Sequence, residues 1–297
     1  MPRHLGTNNY SVTQFTVSPD PALGNYTTWT DALDDAPPGA VIYVQEGTYE
    51  EDPVITKPVK IIAGDFPRIG YVTPSVILNG KLLCDSVGAL VQGVECRTNG
   101  DYAVEATGSS CLALLHCNVN GLNHSPIHVN HGLANIMLYD SNYNLAVTGV
   151  PPYVITLGDL WFYKSILSNS AGNNTAPTNT IGIMQMIYCQ SSIRLDNTGT
   201  SINRIYNSYL ATSDINVAPV NISGTNSYVE LYNNIIKSGT ASAGIVGANC
   251  ILYAANNTIA STNTNVFTGA GTIYKGGNVC LNSSGSNVTT TNNLTTI

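Results

Sequence analysis

The sequence predicts an all-β protein, a right-handed parallel β-helix in which each coil of about 24 residues contributes three short strands. Three observations lead to this prediction. A tyrosine-centred pattern recurs along the chain, the segments between its copies have no helical periodicity, and asparagine and glycine mark the turns. Long and uneven coils favour the right-handed form, because a left-handed β-helix shows a tight six-residue period.

The repeated pattern is an apolar strand that ends on a marker position, most often a tyrosine, and leads into a polar turn. The markers are Val91, Leu115, Tyr139, Tyr163, Tyr188, Tyr206 and Tyr232, with weaker copies near Ala255 and Gly276. A β-branched run that ends in glycine precedes most markers, and another short strand follows them. These three runs predict one strand for each of three parallel sheets around an apolar core.

The N-terminal part departs from the repeat. Residues 28–36 have apolar side chains at helical spacing, and Thr28 and Asp31 suit a capping box at the helix start. We expect this helix to cover the open end of the first coil, where strand edges and core would otherwise be exposed. The predicted organisation is a capping and attachment segment over 1–40, a β-helix over 41–282, and a last coil or tail over 283–297.

The segment 27–64 resembles the opening of pectate-lyase-fold (pectin-lyase-like) proteins. Its helix is followed by "GAVIYVQEGTYE" and then by "ITKPVKIIAG", which is similar to the way the β-helix begins in those proteins. The resemblance implies the fold over most of the chain and no particular activity. A capped β-helix so poor in charge is most similar to the viral spike and fibre proteins of this group, which implies a homotrimer at a virion surface.

Composition narrows the function classes. Charged residues make up 10% of the chain and its net charge is −7, so the clustered cations that nucleic-acid binding requires are missing. The first residues lack the apolar segment of a signal peptide and no apolar run is long enough for a membrane span, so we expect assembly in the host cytoplasm. The seven cysteines contain no C-x-x-C pair and are expected to be buried and reduced. No metal or cofactor is predicted.

Catalytic candidates are sparse. Glycoside hydrolysis needs two carboxyl groups across the scissile bond, but the carboxylates beyond residue 105 are scattered over different coils, at Asp140, Asp159, Asp196, Asp214 and Glu230. The nearest approach to a lyase-type polar site is Arg194, Asp196 and Arg204, for which an exposed ion pair is the simpler interpretation. We therefore leave open whether the chain is an enzyme, and favour a non-enzyme.

Three of the five histidines lie in "NHSPIHVNHG", residues 123–132. Alternation along a strand places Ile127 and Val129 inward and His128 outward, with His124 and His131 at corners. This arrangement does not bring three imidazoles to one metal ion.

The marker strand predicts a strip of aromatic and methionine side chains on the outside of one sheet. Burying Arg204 and Glu230 unpaired would be costly, so residues that share their parity, the markers included, should face outward. The predicted strip contains Met137, Tyr139, Trp161, Tyr163, Met186, Tyr188, Tyr206 and Tyr232. It could be a stack half-covered by the turns, an oligomer interface, or a platform on which sugar rings stack.

The resulting hypothesis is a virion structural protein, namely a tail, baseplate or capsid-surface spike or fibre that contacts host surface glycans. It would form a homotrimer and contact other virion proteins through its N-terminal segment. The alternative is a polysaccharide lyase or glycoside hydrolase on the same fold. A bacterial adhesin is a third hypothesis, disfavoured by the missing export signal.

Overall fold

The chain folds into a right-handed parallel β-helix whose first coil is covered by a short helix. The computed structural model describes residues 14–64, 74–98, 100–147, 149–170, 178–179, 181–197, 199–212, 216–263 and 266–281. Strands pair in parallel with their equivalents in the neighbouring coils, as between Tyr228–Tyr232 and Ile251–Ala255. The predicted fold class is confirmed. Within the described ranges, no helix has the length and apolar character needed to cross a bilayer.

Three faces run along the β-helix. Face 1 carries the marker strands, which are Gln14–Val17, Val41–Val44, Val59–Ala63, Gly88–Gln92, Cys111–Leu115, Ile127–Tyr139, Val154–Tyr163, Ile181–Ile187, Thr200–Tyr206, Tyr228–Tyr232, Ile251–Ala255 and Thr272–Gly276. Face 2 follows the markers and consists of Gly47–Tyr49, Val76–Asn79, Val94–Thr98, Asn118–Gly121, Asn142–Leu145, Ile166–Asn169, Gln190–Ser191, Tyr209–Ala211, Ile235–Lys237, Thr258–Ala260 and Val279–Leu281.

Face 3 precedes the markers in each coil. It contains Val54–Ile55, Leu82–Asp85, Val104–Thr107 and Thr178–Asn179, and then a separate four-stranded sheet of Leu195–Asn197, Val220–Ile222, Gly244–Val246 and Phe267–Gly269. Two long strands, Ile127–Tyr139 and Val154–Tyr163, bend around the corner and belong to faces 3 and 1 together. Faces 1 and 3 therefore merge into one continuous sheet in the middle of the molecule.

The core is filled by every second residue of the marker strands. Leu114, Leu138, Phe162, Ile205 and Leu231 occupy equivalent positions in their coils and are all buried. Burial of each such side chain contributes roughly 1.5–3 kcal/mol. The parity expected from Arg204 and Glu230 is thus correct for these coils.

A one-residue corner joins face 1 to face 2. From the strand Gly88–Gln92 onward, the residue directly after each face 1 strand has a left-handed backbone, with φ between 48° and 74°, at Gly93, His116, Asp140, Lys164, Tyr188, Asn207, Asn233, Asn256 and Gly277. Glycine and asparagine tolerate this conformation better than other residues, which explains their frequency at this position.

The next residue at each corner points inward and forms a hydrogen-bonded column. In the middle coils this column contains Cys117, Ser141, Ser165, Cys189 and Ser208, and the Ser141 hydroxyl accepts from the Cys117 N–H at 3.0 Å. In the last coils the same positions are Asn234, Asn257 and Asn278, whose amide oxygens accept backbone N–H groups at 2.9 Å. In these coils the asparagines form a ladder of hydrogen bonds from one coil to the next.

The helix spans Trp29–Asp35 with Thr28 as its N-cap, close to the predicted range 28–36. The Thr28 hydroxyl accepts from the Asp31 N–H at 3.1 Å and donates to Asp31 Oδ2 at 2.6 Å. The capping-box bond in which the Thr28 backbone N–H would donate to the Asp31 carboxylate is replaced by this hydroxyl contact. Trp29 and its buried neighbours face the first coil, and the Trp29 ring lies 5.9 Å from the Tyr49 ring.

The segment 50–58 holds both ends of the helix. Glu51 accepts the N–H groups of Trp29 and Thr30 at 2.7 and 2.9 Å. At the other end, Lys57 Nζ donates to the carbonyl oxygens of Asp34 and Ala36 at 2.7 and 3.1 Å. Backbone groups left unpaired at both helix ends are thereby satisfied.

The predicted segment bounds can be compared with the described strands. The strand Gln14–Val17 pairs with Val41–Val44, so face 1 already begins inside the predicted capping segment, while residues 283–297 lie outside the described part.

All seven cysteines are free, and six are buried as expected, but Cys111 is exposed because it lies on the outward side of face 1. Burial raises the pKa of the Cys84 thiol to about 12 and that of Cys117 to about 11.

Candidate ligand-binding face

The outward side of face 1 is aromatic along much of its length. Register places Leu115, Tyr139, Tyr163, Ile187, Tyr206, Tyr232 and Ala255 in one row along successive coils. A second row, two residues earlier in each strand, contains Ala113, Met137, Trp161, Gln185, Arg204, Glu230, Tyr253 and Tyr274. We call the outward side chains of these two rows, together with Tyr228, the tyrosine face.

Neighbouring rings of the tyrosine face touch one another. Tyr139 and Tyr163 are stacked with centroids 4.9 Å apart, and Tyr206 and Tyr232 lie 5.7 Å apart. Coil spacing of about 4.8 Å brings equivalent side chains within ring contact. Tyr139 is 42% exposed and Trp161 is 40% exposed, so the face offers open ring surface as well as ring edges.

Met186 does not belong to this face. Its side chain is 0% exposed, together with that of Met184, and the outward residues of the strand are Gln185 and Ile187. The predicted parity was wrong for this coil. Had Tyr188 been the marker, Gln185 would have pointed into the apolar core without a partner, which costs more than burying two methionines.

Tyr188 lies one residue beyond the row in which it was expected. Ile187 pairs with Tyr163 and Tyr206, and Tyr188 occupies the left-handed corner with φ 57°. Its ring is 55% exposed and meets Tyr163 edge-on at 5.8 Å. The predicted single stack of five tyrosines is therefore divided by Ile187 into two shorter groups.

Three aromatic residues of the face were missed. Tyr228, Tyr253 and Tyr274 form a second series, with centroids 5.2 Å apart in the first pair and 4.5 Å apart in the second. Each lies two or four residues before a marker position, so strand alternation applied to the weak copies near Ala255 and Gly276 could have found them.

A polar cluster lies among these rings. Glu230 accepts the hydroxyl groups of Tyr206 and, at 2.6 Å, of Tyr228. Arg204 Nε lies 3.6 Å from Glu230 Oε2. Desolvation, followed by the bond to Glu230, raises the pKa of Tyr206 to about 12 and also raises that of Tyr228. Both phenols therefore remain protonated donors at neutral pH.

A groove runs beside the tyrosine face at the corner with face 2. Its volume is about 530 Å³, and its lining includes Lys164, Tyr188, Gln190, Asn207, Tyr209, Asn233 and Ile235. The coil that runs from Ile187 to Tyr206 is short, and its face 2 strand has only two residues, Gln190–Ser191. We call this concavity the corner groove. It combines aromatic rings with amide groups.

Lys164 connects the groove to the tyrosine face. Its ammonium lies 5.4 Å from the centroid of the Tyr163 ring and 5.9 Å from that of Tyr139. Such cation–π contacts at exposed sites contribute about 0.5–1 kcal/mol. The cation holds the two stacked rings in place at the edge of the groove.

The predicted catalytic group does not come together. Arg204 lies on face 1, whereas Arg194 and Asp196 belong to the chain at face 3. Ile193 and Leu195, the residues on either side of Arg194, are buried, and the Asp196 side chain lies outside the described part. Arg204 instead pairs with Glu230, because strand register places them opposite each other in adjacent coils.

The histidines are placed largely as expected. Ile127 and Val129 point inward, and the rings of His124 and His128 both contact the Tyr102 ring, with centroid distances of 4.7 and 4.3 Å. In the described ranges, no group of three metal-ligating side chains is found. The contacts of His128 with residues of two neighbouring coils were not foreseen.

No protein-family profile and no curated protein sequence matches the chain. Among solved structures, the chain is similar to ORF18 of Geobacillus virus E2, at 10% identity and a TM-score of 0.43 over 82% of this chain and 54% of the other. This chain therefore spans about half the length of that phage protein.

Pectin methylesterases are also similar in structure. The enzyme of Aspergillus niger matches at 14% identity and a TM-score of 0.41, over 94% of this chain and 88% of the other. The carrot enzyme matches at 13% identity and a TM-score of 0.41, over 96% and 86%. At this level of similarity the matches assign no activity to the chain.

Proposed function

We propose that the chain is a virion structural protein, a tail, baseplate or capsid-surface spike or fibre, that binds host surface glycans on its tyrosine face. One observation carries the glycan-binding part, namely the rows of partly exposed rings that continue into the corner groove. Sugar rings present apolar faces that stack on aromatic side chains, and amides such as those of Asn207 and Asn233 suit their hydroxyl groups.

The two carboxylates on the outward side of the aromatic face 1 strands, Asp159 and Glu230, are poorly placed for glycoside hydrolysis. Asp159 and Glu230 lie three coils apart in the register of face 1, a separation of about 14 Å along the axis. Inverting glycosidases need about 6.5–9.5 Å, and retaining enzymes less. In addition, Glu230 is already engaged by two phenols and by Arg204. These points support binding without cleavage.

The alternative is a polysaccharide lyase or glycoside hydrolase, and one observation favours the lyase. Arg204 and Tyr206 lie next to each other in an open aromatic face, and a cation beside a phenol suits proton transfer next to a sugar carboxylate. Shortening of an acidic polysaccharide, lost in Arg204→Ala, would replace the structural proposal with this one.

The glycan-binding proposal is tested by titration calorimetry with a panel of bacterial surface polysaccharides. We expect one of them to bind, and Trp161→Ala or Tyr163→Ala to weaken its binding about tenfold, equivalent to ~1.4 kcal/mol. Tyr43→Ala is the matched control, because Tyr43 also faces outward on face 1, several coils before the aromatic rows. Equal losses in all three variants, or no binding at all, would contradict the proposal.

The proposed assembly is a homotrimer made in the host cytoplasm and attached to other virion proteins through the N-terminal segment. An exposed aromatic strip can equally serve as the contact between copies. Light scattering distinguishes the two uses of the face. A trimer whose mass is unchanged in Trp161→Ala leaves the face free for glycans, whereas a trimer that dissociates in this variant assigns the face to assembly.

A further inference from the structure

A second polar cluster lies on the outward side of face 3, away from the tyrosine face. Glu105 and His128 occupy the same position in adjacent coils. Thr156 belongs to the following coil, two residues beyond Val154, which lies opposite His128. A carboxylate, an imidazole and a hydroxyl from three successive coils therefore lie close to one another across the strands. We call Glu105, His128 and Thr156 the row.

These three side chains are hydrogen-bonded in sequence. His128 Nδ1 lies 2.9 Å from Glu105 Oε1, and His128 Nε2 lies 3.1 Å from Thr156 Oγ1. An ionised carboxylate can only accept, so Nδ1 carries the proton. In the neutral imidazole Nε2 is then an acceptor, and the Thr156 hydroxyl donates to it. The row has the carboxylate–imidazole–hydroxyl order of a nucleophilic catalytic triad.

Other side chains fix the first two members of the row. The Tyr102 ring stacks on the His128 ring at 4.3 Å with 30° between their planes. Lys81 Nζ contacts Glu105 Oε2 at 3.2 Å and Asp101 Oδ2 at 3.0 Å. His128 is only 9% exposed, so neither its ring nor the carboxylate can turn freely. This is the support that a general base requires.

Thr156 is partly exposed and lies beside a break in strand pairing. The register between the two long strands shifts after the pair Val129 and Ile155. Gly158 has φ 105°, and a Cβ there would collide with the carbonyl oxygen of Ala134. Such irregularities re-aim side chains and are common beside active sites. The hydroxyl is thus the member of the row that a substrate in solution can reach.

We propose that this row hydrolyses acyl esters. Thr156 Oγ1 attacks the ester carbonyl carbon while His128 Nε2 takes the hydroxyl proton, and Glu105 stabilises the resulting imidazolium. The alcohol leaves with that proton, and the acyl group remains as an ester of Thr156. Water, deprotonated by His128, then attacks this ester, and the carboxylic acid is released as Thr156 regains its proton. No metal or cofactor takes part.

The surroundings indicate a small acyl group. Leu157, the neighbour of Thr156, is exposed, and so is Leu133 in the preceding coil. Both leucines lie in the irregular stretch of strand pairing next to Thr156, so the exposed surface there is apolar and suits an acetyl group better than a charged one. That the alcohol is a sugar hydroxyl, as in an O-acetylated polysaccharide, rests on the proposed glycan binding. The ester chemistry itself does not.

The test uses p-nitrophenyl acetate, which contains no sugar and so separates this proposal from the glycan-binding one. The full chain should hydrolyse it, and Thr156→Val, which keeps the shape and removes the hydroxyl, should lower the rate about 100-fold or more. Thr156→Ser should retain activity, and Glu105→Gln should lose it. Thr258→Val, at an exposed threonine of face 2, is the matched control and should match the wild type.

A second measurement detects the nucleophile directly. After treatment with an alkyl fluorophosphonate, peptide mass spectrometry should find the adduct on Thr156 in the wild type and not in His128→Gln, with both proteins shown to be folded by urea unfolding. Hydrolysis that persists in Thr156→Val, or a wild type that neither hydrolyses the ester nor forms the adduct, would overturn the proposal and leave the row as a structural contact between coils.

Discussion

The first coil and the last described coils of the β-helix are held by different chemistry. At the N-terminal end, the charged side chains of Glu51 and Lys57 satisfy the backbone groups at the ends of the capping helix. In the last coils, the neutral amides of Asn234, Asn257 and Asn278 satisfy backbone groups inside the corner. The first set of contacts borders solvent, whereas in the second set Asn234 and Asn257 are buried and Asn278 is partly buried.

The difference follows from the cost of burial. A charged group at a solvent-bordered helix end keeps part of its hydration while making strong hydrogen bonds. Inside the corner an isolated charge would be far more costly than an amide, which can donate and accept at once. Asparagine therefore repeats along the interior of the last described coils, whereas the charged groups that satisfy the capping helix lie at its solvent-bordered ends.

The largest effect is expected from removal of the cap's apolar contact. Trp29 is 1% exposed and packs against Tyr49, so Trp29→Ala should cost about 3–5 kcal/mol of unfolding free energy. Trp29→Phe is the comparison, because it keeps an aromatic ring against Tyr49 and removes only part of the buried ring surface, together with an indole N–H that has no hydrogen-bond partner among the described residues. Urea unfolding should show a clearly smaller loss for it. Equal losses would mean that packing against the first coil is not the cause.

The amide ladder should be the next most sensitive element. Asn257→Ala removes the acceptor of the Asn234 N–H and the donor to the Leu231 carbonyl. Leaving these two buried groups unpaired should cost about 3 kcal/mol. The control is the preceding corner residue, where Asn256→Gly keeps the left-handed backbone accessible and should change stability by less than about 0.5 kcal/mol. A similar loss in both variants would show that the corner, not the ladder, is being disturbed.

The charged contact at the cap should contribute less. Glu51→Gln retains an amide oxygen as acceptor but loses the charge that strengthens three bonds to Trp29 and Thr30, and we expect a loss of about 1–2 kcal/mol. Glu50→Gln is matched to it, since Glu50 makes an exposed contact with Asn79. If urea unfolding gives equal values for both variants, the helix cap does not depend on the charge.

The smallest expected effect is a pH dependence of stability that arises from Tyr206 in the polar cluster around Glu230. The pKa of Tyr206 is raised to about 12 in the folded chain against about 10 in the unfolded one. The phenol therefore contributes stability that is fully present below pH 10 and is lost as the pH rises through 12. We expect the stability difference between the wild type and Tyr206→Phe to shrink over this range. A difference that stays constant in urea titrations from pH 9 to 12 would contradict it.

The repeat made the fold predictable, because strand alternation, corner asparagines and capping residues are all local properties of the sequence. The predicted positions of Met186 and Tyr188 were wrong, because the marker pattern was applied to a coil in which it would have placed Gln185 in the apolar core. The row of Glu105, His128 and Thr156 could not have been foreseen, because it depends on how three coils are aligned and on a shift in pairing after Val129. Register between coils is a non-local property.

The chain contains two tryptophans, and the fold places one in each region of interest. Trp29 is enclosed under the cap, and Trp161 is 40% exposed on the tyrosine face. Their emission should differ in wavelength and in quenching by iodide, which reaches only the exposed indole. With one tryptophan replaced by phenylalanine at a time, Trp29 would report the opening of the N-terminal end and Trp161 would report occupancy of the face. The molecule thus carries its own pair of optical probes.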